Sequence, residues 1–287
     1  MKEFQLIHRL SRRITKRSAD LKVGIGDDCS VISAGKKEIL ITCDSLLEGV
    51  HFKSHWAPFD KWGEKIAGAA LSDIAAMGGT PKFCWVELSL PKKFPQRKVD
   101  LFYRGLEKVF RKFKTTIAGG NITRSPRGFC ATLMIWGERP HGIKMLRSDA
   151  KVGDLVFLAG PVGDAAKGLN LLQKNKRGPK KYLKAFLQPQ PQIATGQWLA
   201  KKKLANACID ISDSLLQDLH HVATASKVKI IIETKFIPKK DGEDYSLAFT
   251  APPHKRIEIL KKKGIVQIGK VVKGINRLPK PSWDHFA

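Results

Sequence analysis

The sequence predicts an α/β fold built as two domains. Two observations carry this. Short apolar runs of strand length alternate with segments whose apolar residues recur at helical spacing, along almost the whole chain. Residues 137–144 then combine glycine, proline and a change of composition, which divides the alternation into halves, residues 1–138 and 139–287. With 287 residues, each half is long enough to bury a core of its own.

In order, Phe4, Leu6, Ile7, Leu10 and Ile14 recur at helical spacing in a basic opening segment. It lacks the uninterrupted apolar core of a secretory signal, so an ordinary amphipathic helix is expected. VGIGDDCSVI, residues 23–32, follows as a glycine-rich turn with Asp27 and Asp28 side by side. EILITCD, residues 38–44, reads as a strand ending on Asp44, where ligand sites of α/β proteins are favoured. Residues 45–52 are expected to form a loop offering Glu48 and His51. A single histidine there is more often a structural hydrogen-bonding group than a catalyst.

A helix is predicted over residues 61–77, with Trp62, Ile66, Ala69, Ala70, Asp73, Ala76 and Met77 along one side. Gly78, Gly79 and Pro81 stop it. A strand over 83–91, a helix over 99–113 and a strand over 115–125 follow, the last running into Gly119 and Gly120. Backbone N–H groups around such a pair can form a nest for phosphate, with Arg124 nearby as a clamp. A strand over 130–140 closes the first half. In the second half, residues 150–169 read as strand, Gly/Pro turn and helix, and basic helices fill 169–203. A short strand ends at Asp210. Ser212 or Asp213 can cap a helix with Leu215, Leu216, Leu219, Val222 and Ala223 on one face. A strand over 229–233, the acidic stretch 241–250 with Glu243 and Asp244 beside Tyr245, and a strand over 265–272 complete the chain.

Composition narrows the chemistry. The chain carries 52 Lys+Arg against 26 Asp+Glu, a net charge of +26. Such charge is compatible with nucleic acid, an anionic membrane surface or phosphate-rich small molecules. The lysines are spread along the chain, and no basic and aromatic motif is grouped as a specific nucleic-acid site requires. No apolar run approaches the roughly 18 residues of a membrane span. Five scattered cysteines without a CxxC pair argue against a disulfide framework or zinc site, and for a reducing cytoplasm.

Against this basic background the acidic residues in apolar settings stand out. Buried carboxylates must be paired, hydrogen-bonded or metal-bound. The Asp27–Asp28 pair suits magnesium, which takes oxygen ligands and few carboxylates; alone it fits a solvated turn equally well. Asp73, on a small-residue helix face, favours a functional role. Capping explains one of Asp210, Ser212 and Asp213 but not all three, which favours metal or phosphate there too.

The motifs GIGDD, the strand-end Asp44, EGVHF, LSDIAAMGG, TRS, DISD, GEDY and the terminal WDHF occur in the order found in thiamine-monophosphate kinases. The chain resembles that family over nearly its whole length. LSDIAAMGG and DISD are shared with a wider group that includes aminoimidazole ribonucleotide synthetase and selenophosphate synthetase; EGVHF and the ending point to the thiamine branch.

The resemblance implies an N-terminal domain for ATP, Mg²⁺ and dimerisation, and a C-terminal α/β sandwich completing the cleft. The N-terminal mixed sheet would carry helices on one face and pair into a barrel across a homodimer. It implies ATP-dependent phosphorylation of thiamine monophosphate to the diphosphate, with Asp44, Asp73 and Asp213 central to the chemistry. Asp28, Thr42, Asp44, Asp73, Asp210 and Asp213 look like the magnesium set. Cys43 stands at a position that also touches metal, where the family usually has Thr. Gly120, Arg147 and Ser212 look like ATP contacts, and His51, Glu243 and Trp283 like contacts to thiamine monophosphate.

Three departures are visible. The family's Gly-Gly-Asp-Thr reads Gly119-Gly120-Asn121-Ile122, so Asn121 offers metal and ATP a carbonyl oxygen without charge. Ser214 replaces the glycine after DISD. Residues 237–242 form a short linker where the family carries an extra helix. These leave room for a related enzyme with another small acceptor, or a homologue with little turnover.

Overall fold

In a computed structural model, residues Leu6, Ile7, Arg9, Leu10 and 18–276 are described. Leu6, Ile7, Arg9 and Leu10 are helical, as expected for the opening segment; Phe4, Ile14 and Trp283 lie outside the described residues.

The first half carries strands β1 (Leu21–Val23), β2 (Ser30–Ala34), β3 (Lys37–Leu47), β4 (Thr80–Pro91), β5 (Thr116–Ser125) and β6 (Cys130–Pro140), with helices α1 (Phe59–Ala76) and α2 (Gln96–Phe113). The strands form a mixed sheet in the order β1-β2-β3-β6-β4-β5, parallel only between β4 and β5. Side chains alternate across it. Leu40, Val86, Leu88, Ala131, Leu133 and Ile135 are buried against α1 and α2, whereas Phe83, Met134 and Cys43 on the other face are exposed.

The second half carries β7 (Leu155–Ala159), α3 (Asp164–Gln173), α4 (Lys180–Leu187), α5 (Ile193–Lys201), β8 (Cys208–Asp210), α6 (Leu215–Ala225), β9 (Lys229–Ile232), β10 (Leu247–Ala251), α7 (Arg256–Leu260) and β11 (Ile265–Val272). Its sheet is antiparallel throughout, in the order β8-β10-β7-β11-β9. It is buried on both faces. Phe157 and Phe249 belong to a core continuous with α1, while Val156, Leu158 and Ala248 pack with Leu215, Leu219 and Val222 of α6. The α/β reading therefore holds, with an antiparallel middle layer in the second half.

Helix α1 is the shared wall. A side chain at Gly196 of α5 would place its Cβ 1.9 Å from the Ala75 carbonyl oxygen, so the two halves meet backbone to backbone there. The buried Arg139 guanidinium donates to Glu38 Oε2 (2.8 Å) and to the Met77 carbonyl (3.0 Å), tying the end of α1 to β3 and β6. No described helix is long and apolar enough to cross a membrane.

Several boundaries differ from expectation. β3 continues to Leu47, so Asp44 lies inside the strand rather than at its end. The glycine pair is not a turn: Gly119 and Gly120 stay in β5, opposite Trp85 and Val86, where the register slips past Ala118. A Cβ at Gly120 would come 1.9 Å from the Val86 carbonyl oxygen, so glycine serves a close strand approach at a bulge. The α6 cap is Ser214, one residue beyond those expected; its hydroxyl accepts from Gln217 N at 3.2 Å.

Candidate active site

Asp28 leaves the turn after β1, Asp73 lies in the last turn of α1, and Asp210 ends β8. An oxygen from each lies within 4.8 Å of the others. Thr42 Oγ1 donates to Asp73 Oδ2, and Arg147 NH2 to Asp28 Oδ1. Asp28 Oδ2 is buried with no hydrogen-bond partner. Asp27 has another task. It accepts the amides of Asp28 and Arg147, both at 3.0 Å, and so fixes the turn against the second half.

Burial, and then mutual repulsion, raises these carboxylates. Asp210 is pushed up to about 8 and Asp27 to about 7 by burial and the charge of Asp28, while Asp73 stands well above its usual range. Asp44, two residues from Thr42 on the same face, is pushed up to about 6 by burial. An all-oxygen set with an orphaned carboxylate oxygen suits a hard divalent cation, which would offset this repulsion.

Beside it lies the β8–α6 turn. Asp213, Asp218 and His221 form a second group with ligand atoms within 4.8 Å. Asp218, not singled out in the sequence, is buried and accepts the amides of Ser212 (3.0 Å), Asp213 (3.2 Å) and Ser214 (3.2 Å) through one oxygen. Gln217 Nε2 donates to Asp213 Oδ2 at 2.8 Å. The signal available was an acidic residue in a first helical turn, where unsatisfied amides gather. His221 is held neutral, its pKa pushed down to about 4 by burial and by the charges of Arg147 and His220.

These groups border a cleft of about 350 Å³ between the halves, lined by Asp44, His51, Trp56, Lys65, Asp213 and Glu243 among others. His51 Nδ1 accepts the Leu47 amide at 3.0 Å, which in the neutral ring puts the proton on Nε2. The acidic loop closes the cleft. Asp241 accepts the Leu215 amide at 2.7 Å, and Asp244 accepts those of Gly163 (2.8 Å) and Ala165 (3.1 Å), so the loop holds the starts of α6 and α3. Glu243 and Tyr245 adopt left-handed φ angles of 55° and 52°. Such strain gathers at functional sites.

Not every expected residue joins. Strand alternation puts the Cys43 thiol on the open face, away from Thr42 and Asp44, so it does not add its sulfur to the cluster. Asp44 pairs with Leu133, Leu133 with Val86, and Val86 with Gly120. Gly120 is therefore three strand spacings away, about 14 Å along the sheet. Asn121 pairs with Glu87 in the next row, on the open face. Within one chain neither reaches the aspartates, and Arg124 is exposed on the same edge strand. Arg147 and Ser212 do lie at the site.

Residues 26–138 match the family model described as AIR synthase related protein, N-terminal domain. The chain is 33% identical to thiamine-monophosphate kinase of Buchnera aphidicola subsp. Acyrthosiphon pisum, over 92% of this chain and 88% of that protein. The chain belongs to the thiamine-monophosphate kinase family. Another member, from Bacillus subtilis, is 34% identical over 83% of this chain and 75% of its own. The solved structure of AaThiL complexed with AMPPCP and TMP superimposes with a TM-score of 0.88 at 30% identity, covering 99% of this chain and 97% of that one. In this member of the family Asp44 from the first half and Asp213 from the second face one cleft.

The raised carboxylates give a stability signature. Folded-state values above the ordinary one mean that the folded state binds more protons, so stability falls as pH rises through them. His221 acts oppositely, but only between about 4 and its ordinary 6.5. In EDTA, the melting temperature followed by circular dichroism should therefore fall from pH 6.5 to 8.5, and Asp210→Asn should flatten that fall. A wild-type profile that is level or rising would contradict these shifts.

Proposed function

We propose that the chain transfers the γ-phosphoryl group of ATP directly to the phosphate of thiamine monophosphate, giving thiamine diphosphate. The observation that carries this reading is the meeting of Asp28, Asp73 and Asp210 at 4.8 Å or less beside the inter-domain cleft. Its support from relatives is the family membership and the AaThiL complex holding AMPPCP and TMP.

Thr42, Asp28, Asp44, Asp73, Asp210 and Asp213 would hold Mg²⁺. When bound, Mg²⁺ neutralises the polyphosphates so that donor and acceptor can approach. The protein supplies position. Arg147, already ordered by Asp27 and Asp28, presents a charge for the nucleotide phosphates. Ser212 and Asp213 are held in place by Asp218. His51 and Glu243 border the acceptor end of the cleft. The attacking group is a phosphate oxygen whose second proton is lost near pKa ~6, so no general base is required at neutral pH. Ser214, as an N-cap, keeps α6 intact without the family glycine. The short linker still delivers Asp241 to the start of α6.

The reading includes a homodimer in the cytoplasm. The open face of the first sheet carries Ile41, Phe83, Trp85, Met134 and Trp136, with Phe83 stacked on Trp136 at 5.2 Å. An apolar surface of this kind on a sheet calls for a cover, and a second copy supplies one. The distance of Gly120 and Asn121 from the aspartates fits a site that borrows β5 from that copy. The five cysteines are unpaired, consistent with a reducing compartment.

Thiamine diphosphate formation should require both ATP and Mg²⁺, and Asp73→Asn should lower kcat by at least about a hundredfold through loss of metal-held charge. Unstimulated ATP turnover with thiamine monophosphate, but stimulation by another acceptor in a panel, would overturn the substrate. Light scattering should return twice the 32.0 kDa chain mass; a monomer would defeat the dimer.

A further inference from the structure

Lys65 has no part in the chemistry described so far, yet it is the most deeply buried charge lining the cleft. Its side chain is 2% exposed. It projects from α1, in the first half, and its Nζ lies 2.9 Å from Glu243 Oε1, in the second. The ammonium also donates to the Phe186 carbonyl at 3.2 Å and sits 3.7 Å from the centre of the Phe186 ring. Burial pushes its pKa down, while the charges of Glu243 and Asp244 hold it up. A lone lysine desolvated to this degree would be costly. Its retention beside a ligand cleft calls for a use.

The partner is equally constrained. Glu243 N donates to the Ser212 carbonyl at 2.7 Å, so its left-handed backbone is anchored to the turn that carries Asp213. Of the three acids in this loop, Asp241 and Asp244 are engaged by backbone amides of helix starts. Glu243 alone reaches a side chain from the other half. Lys65 engages Oε1, and Oε2 is the oxygen left for a donor on a bound molecule. Around it the cleft is apolar (Val50, Ile66, Ala69, Leu169) and holds a carboxylate wall, which suits an aromatic ring bearing an amino group or positive charge.

We propose that Lys65 is a positioning residue for acceptor recognition: by gripping Glu243 across the cleft, it fixes the carboxylate that receives the amino-bearing ring of the acceptor. The ion pair also makes the acceptor end of the site depend on how the two halves are set. The inference rests on the proposed reading of the cleft as the thiamine monophosphate site.

The test compares wild type with Lys65→Met, Lys65→Arg, Glu243→Gln and Lys65→Met/Glu243→Gln in the coupled assay, with melting temperatures alongside. Methionine keeps the stem against Phe186 and removes the charge. Releasing a buried charge partner should raise KM for thiamine monophosphate about tenfold or more in Lys65→Met, while KM for ATP changes less than about twofold. Lys65→Arg should recover part of that loss. In the Glu243→Gln background, Lys65→Met should add little, because the contact it supports is already gone. An unchanged KM for thiamine monophosphate overturns the proposal. So does an equal rise in both KM values with a lowered melting temperature, which marks a purely structural role. Should Lys65→Met fail to fold, Lys65→Arg decides by the same split between the two KM values. Wild type that neither turns over nor binds thiamine monophosphate defeats the functional reading itself, and this inference with it.

Discussion

Three carboxylates occupy one desolvated space, and much of the architecture serves to keep them there. Asp28, Asp73 and Asp210 come from a turn, a helix and a strand of two different sheets. Like charges so close in a poorly solvated setting repel, and the fold holds them there through Thr42 and Arg147. That is stored electrostatic cost of the kind phosphoryl-transfer sites return when a divalent cation binds.

Helix α1 makes the arrangement rigid. It is covered by α2 on one side and meets α5 at backbone contact through Gly196, so it cannot shift without moving both halves. From this one element Asp73 points to the aspartate cluster and Lys65 to the acidic loop, two turns apart on the same wall of the cleft. The loop answers with three acids, each committed to a different element. Asp241 holds α6, Asp244 holds α3 and Glu243 holds α1. The loop that follows the 237–242 linker is therefore well anchored.

Much of this was legible in the sequence, and the reasons are particular. β6 and β11 were delimited to the residue because alternation and flanking glycine or proline mark them sharply. Asp28, Asp73 and Asp210 were found because carboxylates in apolar company are costly unless used. The misreadings have equally specific causes. Gly119 and Gly120 have the composition of a turn, but a parallel strand pressed against β4 needs glycine as much as a phosphate nest does. Cys43 sits between Thr42 and Asp44 in sequence, yet a period of two sends it to the opposite face. Lys65 and Asp218 were silent because a lysine or an acid on a helix ordinarily reads as solvated surface. Only the tertiary contact to Glu243, and the three amides gathered by one oxygen, reveal them.

If Asp28, Asp73 and Asp210 form a cation site, protons and metal compete for it. With Asp210 pushed up to about 8, part of the cluster is protonated at neutral pH. The most direct test is titration calorimetry of Mg²⁺ into the protein at pH 7, in two buffers of different ionisation enthalpy. Binding should release roughly one proton per cluster filled, and that release should be lost in Asp210→Asn. Mg²⁺ binding with no proton release, or binding indifferent to that substitution, would contradict it.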